Sequence, residues 1–131
     1  MKNKKIIALM IGKKTSFGVP GKNIFKIHKK YLFEFPLISA KKSGLIDQLY
    51  ISTDCPTIKK FSKKYNPKII TRPKRIQNPN TLTEDVLQHA HEEIKKDVGG
   101  IDNIKYYILL YANGAFLNSS LIKKAVKKLD N

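Results

Sequence analysis

Four short apolar runs, separated by segments of helix length, constrain this chain more than any other feature. They are Lys5 to Ile11 (KIIALMI), Gln48 to Ser52 (QLYIS), Lys68 to Thr71 (KIIT) and Tyr106 to Tyr111 (YYILLY). Runs so short and so evenly apolar suit strands covered on both faces, the setting of a parallel sheet. Helices are predicted over Leu32 to Ser43, stopped by Gly44, over Pro56 to Tyr65, over Leu82 to Lys96 and over Ser119 to Leu129. Pro36 lies near the start of the first, where proline is tolerated. Ile58, Phe61 and Tyr65 share a face of the second. Thr81 or Thr83 is expected to cap the third, and Ser119 or Ser120 the fourth. Lys74 to Asn80 reads as a loop and Asp97 to Lys105 as a turn-rich connection. The alternation predicts an α/β fold whose mostly parallel sheet carries helices on both faces. Ligands of such sheets bind beyond the carboxyl ends of the strands. The segments to inspect are therefore Gly12 to Asn23, Thr53 to Cys55, Arg72 to Asn80 and Ala112 to Leu117.

A chain of 131 residues suits a single domain over 1–131. Its charge is lopsided: 26 Lys and Arg against 10 Asp and Glu, a net +16. Such a field draws anions, among them nucleotides, polyphosphates, nucleic acid and acidic lipid. Many lysines come in pairs, such as Lys59-Lys60 and Lys123-Lys124, and solvated helix faces explain them better than a nucleic-acid surface. There is no Lys/Arg-Gly repeat and no aromatic RNA-binding signature. Cys55 is the only cysteine, which excludes an intramolecular disulfide. The run from Ile6 to Ile11 is too short for a signal peptide, and no stretch nears the roughly 20 apolar residues of a membrane span. A cytoplasmic chain without a membrane partner is expected.

The loop after the first run concentrates the positive charge. Gly12, Gly18 and Gly21 stand among Lys13, Lys14 and Lys22. Glycine lets backbone approach a ligand, successive N–H groups form an anion nest, and lysines add point charges for phosphate oxygens. Neither G-x-x-x-x-G-K-[ST] nor G-x-G-x-x-G is present. Spacing alone leaves a phosphate-binding loop and a flexible basic loop equally open.

Other groups invite sharper readings that fail on geometry. His89 and His91 are two apart on a helix, about 200° around its axis, so they cannot easily share a metal ion. Glu84 and Asp85 diverge for the same reason and complement the helix dipole instead. Cys55 reads as packing and His28 as surface.

"GVPGKNI" (Gly18 to Ile24) after a first strand resembles the nucleotide-binding loop of the cytidylyltransferases that activate acidic sugars, the acylneuraminate branch above all. "SAKKSGLIDQLYISTD" (Ser39 to Asp54), "IITRP" (Ile69 to Pro73), "TLTEDVLQHAHEEI" (Thr81 to Ile94) and "YYILLYANGAFLNSSLIKKAV" (Tyr106 to Val126) are similar to that family's later segments, in order. The resemblance implies a three-layer, Rossmann-like fold of the nucleotide-diphospho-sugar transferase type. It also implies a nucleotidyltransferase that moves CMP from CTP to an acidic sugar and releases pyrophosphate, with magnesium assisting. It implies catalytic roles for Lys22 and Lys13 at the phosphates. Gly12, Ser16, Gly21, Asn23, Arg72 and Thr83 would bind nucleotide, Arg72 and Thr83 facing the cytosine or its ribose, with Asp54 in support. The sequence departs from the family where "GKKTSF" (Gly12 to Phe17) stands for A-R-G-G-S-K: Lys13 keeps the charge of an arginine but not its fork. The family's metal-binding aspartates belong to a later segment, so no metal ligand is assigned among these residues. The alternative is a nucleotide-binding module without catalysis. A homodimer stays open.

Overall fold

The computed structural model describes residues 4–12, 26, 27, 29–77, 81–111 and 119–130. In chain order these form β1 (Lys5–Gly12), β2 (Lys26–Ile27), β3 (Lys30–Tyr31), α1 (Glu34–Ser43), β4 (Gln48–Thr53), α2 (Pro56–Phe61), β5 (Lys68–Thr71), α3 (Thr83–Val98), β6 (Ile104–Tyr111) and α4 (Ser119–Asp130). The four apolar runs pair into one parallel sheet in the order β5-β4-β1-β6. β2 and β3 make a two-residue antiparallel ladder that the sequence did not suggest.

Alternation along the strands splits the core in two. Ala8 and Met10 of β1 and Leu49 and Ile51 of β4 face α1, α2 and α4, where Phe33, Leu37, Ile58 and Ile122 fill the space. Ile7, Leu9 and Tyr50 face the other way, against Ala90 and Ile94 of α3. Helices thus cover both faces, as right-handed crossovers require. Side chains tie β1 to β4 at both ends. The N–H of Ile6 donates to Asp47 Oδ2 at 2.7 Å near the start, and Thr53 reaches Gly12 at the finish.

Several boundaries differ from expectation. α1 begins at Glu34 rather than Leu32, which keeps Pro36 in its first turn, and Gly44 ends it in the left-handed conformation (φ 70°). The second helix stops at Phe61 and resumes as a 3-10 turn, Lys63–Tyr65, closed by Asn66 at φ 55° ahead of Pro67. Its apolar face survives in two pieces. Ile58 is fully buried, Phe61 packs on Tyr31 with ring centroids 5.0 Å apart, and the Tyr65 hydroxyl donates to Glu34 at 2.8 Å. The cap of α3 is neither Thr81 nor Thr83 but Leu82, in extended conformation and without a side-chain cap bond. Its carbonyl takes the N–H groups of Asp85 and Val86, and Glu84 and Asp85 supply the negative charge the helix start favours. α4 starts at Ser119, so neither Ser119 nor Ser120 is its cap, and the capping position lies outside the described residues. A 3-10 turn, Lys74–Ile76, interrupts the expected loop, and another, Ile101–Asn103, the expected connection.

Candidate functional site

Chain order against strand order locates the crevice. From β1 the chain moves to β4 and β5 on one side, then crosses by α3 to β6 on the other. The connections leaving β1 and β5 thus diverge between β1 and β6, a topological switch point, and ligands bind beyond the carboxyl ends there. That rim is formed by Gly12, Thr53, Thr71 and Tyr111, the last residues of the four strands.

Arg72, one residue past β5, turns back under this rim and is only 2% exposed. Its Nε donates to Ser52 Oγ at 3.1 Å, and its Nη2 to the carbonyls of Ser52 at 2.9 Å and Gly12 at 3.4 Å. The Gln77 side-chain amide donates to the Arg72 carbonyl. Burial lowers the pKa of the guanidinium, and the nearby charge of Asp54 works in the opposite direction. A guanidinium starts so far above neutrality that it stays charged, so the rim holds a buried cation. The two N–H groups of Nη1 are the donors that these three bonds do not use.

Thr53 completes the arrangement. Its hydroxyl donates to the Gly12 carbonyl at 2.6 Å and accepts the Cys55 N–H at 3.0 Å. One buried side chain thereby joins the end of β1, the end of β4 and the start of α2. Gly12 O accepts from two directions, β4 and the segment after β5.

Among the expected site residues, Gly12 and Arg72 come together. Asp54 follows them, half-buried and near enough to act on Arg72 electrostatically. Thr83 is the exposed first residue of α3. Lys13, Ser16, Gly21, Lys22 and Asn23 lie outside the described residues, as does His28. Ser52 was missed as a site residue, and Thr53 entered only as part of the inspected segment Thr53 to Cys55. Their signal was available: two hydroxyl side chains at the end of an otherwise apolar buried strand must find partners. Cys55 is buried packing, as expected. His91 meets the Tyr107 hydroxyl at 2.9 Å, whereas His89 lies 3.9 Å from Glu93, so the two histidines serve different neighbours. No group of three or more His, Cys, Asp or Glu able to hold a metal ion occurs among the described residues. No helix among them is long and apolar enough to cross a membrane.

A groove of about 230 Å³ lies beside β6, lined by Leu9, Leu87, His91, Tyr107, Ile108 and Leu109. α3 covers β1 and β4 but leaves this strip of β6 open.

Comparison with known proteins identifies a family. The chain is 30% identical over 129 residues to pseudaminic acid cytidylyltransferase of Campylobacter jejuni, covering 98% of itself and 53% of that protein. It is 30% identical over 87 residues to CMP-N,N'-diacetyllegionaminic acid synthase of the same organism, 66% of this chain and 37% of the relative. It thus spans about half the length of the pseudaminic acid enzyme. Its fold matches CMP:2-keto-3-deoxy-manno-octonic acid synthetase complexed with CTP with a TM-score of 0.73 at 16% identity, over 97% of this chain and 48% of that one. The family model described as cytidylyltransferase matches residues 12–131. From the last residue of its first strand to its final residue, this chain belongs to the cytidylyltransferase family.

Proposed function

We propose that the rim between β1 and β6 binds CTP, and that the complete protein transfers CMP from it to an acidic sugar of the acylneuraminate type. In that reaction a sugar hydroxyl oxygen attacks the α-phosphorus. The bond between the α-phosphorus and the bridging oxygen breaks, pyrophosphate leaves with the electron pair, and the hydroxyl proton passes to solvent or a base. The observation that carries this reading is the 30% identity, over 98% of the chain, to a pseudaminic acid cytidylyltransferase. The net charge of +16 and the buried cation at the rim are in keeping with a triphosphate ligand.

In this reading Lys22 and Lys13 neutralise charge on the phosphates, and Ser16, Gly21, Asn23 and the start of the loop at Gly12 supply donors. Positioning and charge neutralisation supply the catalysis. Arg72 reaches the cytosine or ribose through Nη1, its other bonds being taken by Ser52 and Gly12. Thr83 stands at the nucleotide side of α3, and Asp54 balances the charge of Arg72. Magnesium would assist the leaving pyrophosphate. The described residues do not supply a cluster fit to hold it, so no step is assigned to it. The reaction is placed in the cytoplasm.

Titration with CTP, ATP and a random oligonucleotide, each with and without magnesium, tests the binding. Selective CTP binding that is lost in Lys22→Ala supports it. Steeply salt-dependent oligonucleotide binding without nucleotide selectivity refutes it. Pyrophosphate release in the presence of an acidic sugar separates a transferase from a module that only binds.

A further inference from the structure

We propose that the end of the sheet opposite the rim is a docking face for a bilayer rich in anionic phospholipid: lysines at the helix ends meet the headgroups, and Ile101 and Leu129 enter the boundary between headgroups and acyl chains. The face lies away from the nucleotide crevice and does not depend on it.

Parallel topology gathers these residues. A helix that joins two parallel strands runs back against them, so α1, α2 and α3 end where the strands begin. α4 ends there too, because Asp130 Oδ1 meets Lys105 Nζ at 3.1 Å and accepts the Tyr106 hydroxyl at 2.8 Å, at the start of β6. Every one of these helices carries a lysine pair in its last turn, among them Lys41-Lys42 on α1 and Lys127-Lys128 on α4. Lys5 opens β1 and pairs in register with Ile104 of β6. In sequence these pairs read as separate solvated faces; the fold brings them to one end.

Cations in a last turn complement the helix dipole, which by itself would leave a solvated edge. Two further observations point to an interface. Ile101, in the turn that leads into β6, is 56% exposed, and Leu129, next to Asp130, is 58% exposed. The bonds of Asp130 bring the end of α4 to the start of β6, so both apolar side chains stand at the same end as the lysines. The acids there are also largely spent inside the molecule. Asp47 accepts the Ile6 N–H, Asp97 holds Lys68 at 2.7 Å, and Glu92 and Glu93 lie 3.3 and 3.8 Å from Lys95 and Lys96. Lys41, Lys42, Lys127 and Lys128 are exposed and have no ion-pair partner among the described residues.

Lysines around protruding apolar side chains suit an anionic bilayer, where charge draws the protein in and the apolar groups enter the boundary. Nucleic acid fits less well. Lysine offers point charges, whereas forked and stacked contacts call for arginine. Both arginines of the chain, Arg72 and Arg75, follow β5 at the rim end.

The test is co-sedimentation of the 131-residue chain with vesicles of phosphatidylcholine alone and of phosphatidylcholine mixed with phosphatidylglycerol, circular dichroism confirming that each variant is folded. The wild type is expected to bind only the mixed vesicles. Lys127→Gln with Lys128→Gln should weaken that binding about tenfold or more. Lys74→Gln with Arg75→Gln removes the same charge at the rim end and should change it less than about twofold. Ile101→Ser with Leu129→Ser, at unchanged charge, should weaken it severalfold. Equal losses in the two charge variants would show attraction by net charge alone, and an apolar variant that binds as the wild type does would show that nothing enters the bilayer; either result overturns the proposal. So does a wild type that ignores the mixed vesicles, or one that prefers a random oligonucleotide at equal phosphate concentration and loses it with Lys127 and Lys128. Should the α4 variant not fold, Lys41→Gln with Lys42→Gln decides in the same way.

Discussion

The hydroxyl of Thr53 sits 2.6 Å from the carbonyl oxygen of Gly12, forty-one residues earlier in the chain. This single bond closes β4 against β1 at the rim where the ligand crevice opens. The same hydroxyl accepts the Cys55 N–H and starts α2. Removing it should therefore be felt well beyond its volume. Thr53→Val leaves the Cys55 N–H buried without that partner and the Gly12 carbonyl with only the longer bond from Arg72. It is expected to cost about 1–3 kcal/mol, chiefly for the Cys55 N–H, and Thr53→Ser much less. Urea midpoints of the two variants at equal m-value check this.

Stability should also fall at low pH through Glu34. Its side chain is 3% exposed, accepts the Tyr31 N–H and the Tyr65 hydroxyl at 2.8 Å each, and meets Lys64 at 2.6 Å. Burial by itself raises the pKa of the carboxyl, but the hydrogen bonds from Lys64, Tyr31 and Tyr65 outweigh it and the net shift is downward from 4.5. Lys64 is more than half exposed, so its attraction is screened and the other two bonds carry more of the effect. A lowered folded pKa gives stability that is present above 4.5 and lost as pH drops through the folded value. Glu34→Gln should flatten that part of the stability-versus-pH curve, and denaturation across pH 2–6 measures it.

The opposite sign holds at alkaline pH. Burial, then the hydrogen bond to Asp97, raises the pKa of the Tyr50 hydroxyl, and burial followed by Glu34 does the same for Tyr65. Both folded values lie above the ordinary 10.0. Their contribution is full below pH 10 and is lost as pH rises further. Tyr50→Phe removes the ionising group, and should lessen the loss of stability on going from pH 9 to 11, followed by circular dichroism.

The open strip on β6 makes a prediction about solubility. Among the described residues β6 pairs with β1 alone, and Tyr107, Leu109 and Tyr111 are exposed on the strip that α3 leaves bare. Exposed apolar edge strands invite pairing with other chains. Leu109→Lys should change the unfolding free energy from urea denaturation by no more than about 0.5 kcal/mol while reducing self-association in light scattering at high protein concentration. Equal scattering from both proteins would show that this edge does not associate.

Local patterns in the sequence read well where local physics decides. KIIT is a strand from Lys68 to Thr71, and Gly44 ends α1 because its left-handed backbone suits glycine. The second helix was overextended because Phe61 and Tyr65 keep a helical spacing that Asn66 and Pro67 do not allow to continue as α-helix. Leu82 was passed over as a cap since its contribution is a main-chain carbonyl, which no side chain advertises. At the site, Arg72 was noticed through its motif. Its bonds to Ser52 and Gly12, twenty and sixty residues away, depend on strand order, and no spacing in the sequence encodes them.

Calorimetric titration of CTP against ATP at one salt concentration, on wild type and Lys22→Ala, tests most directly whether this rim binds a cytidine nucleotide. The expected result is saturable binding with preference for CTP, weakened in Lys22→Ala. Equal affinity for the two nucleotides, or an affinity indifferent to Lys22, would contradict it.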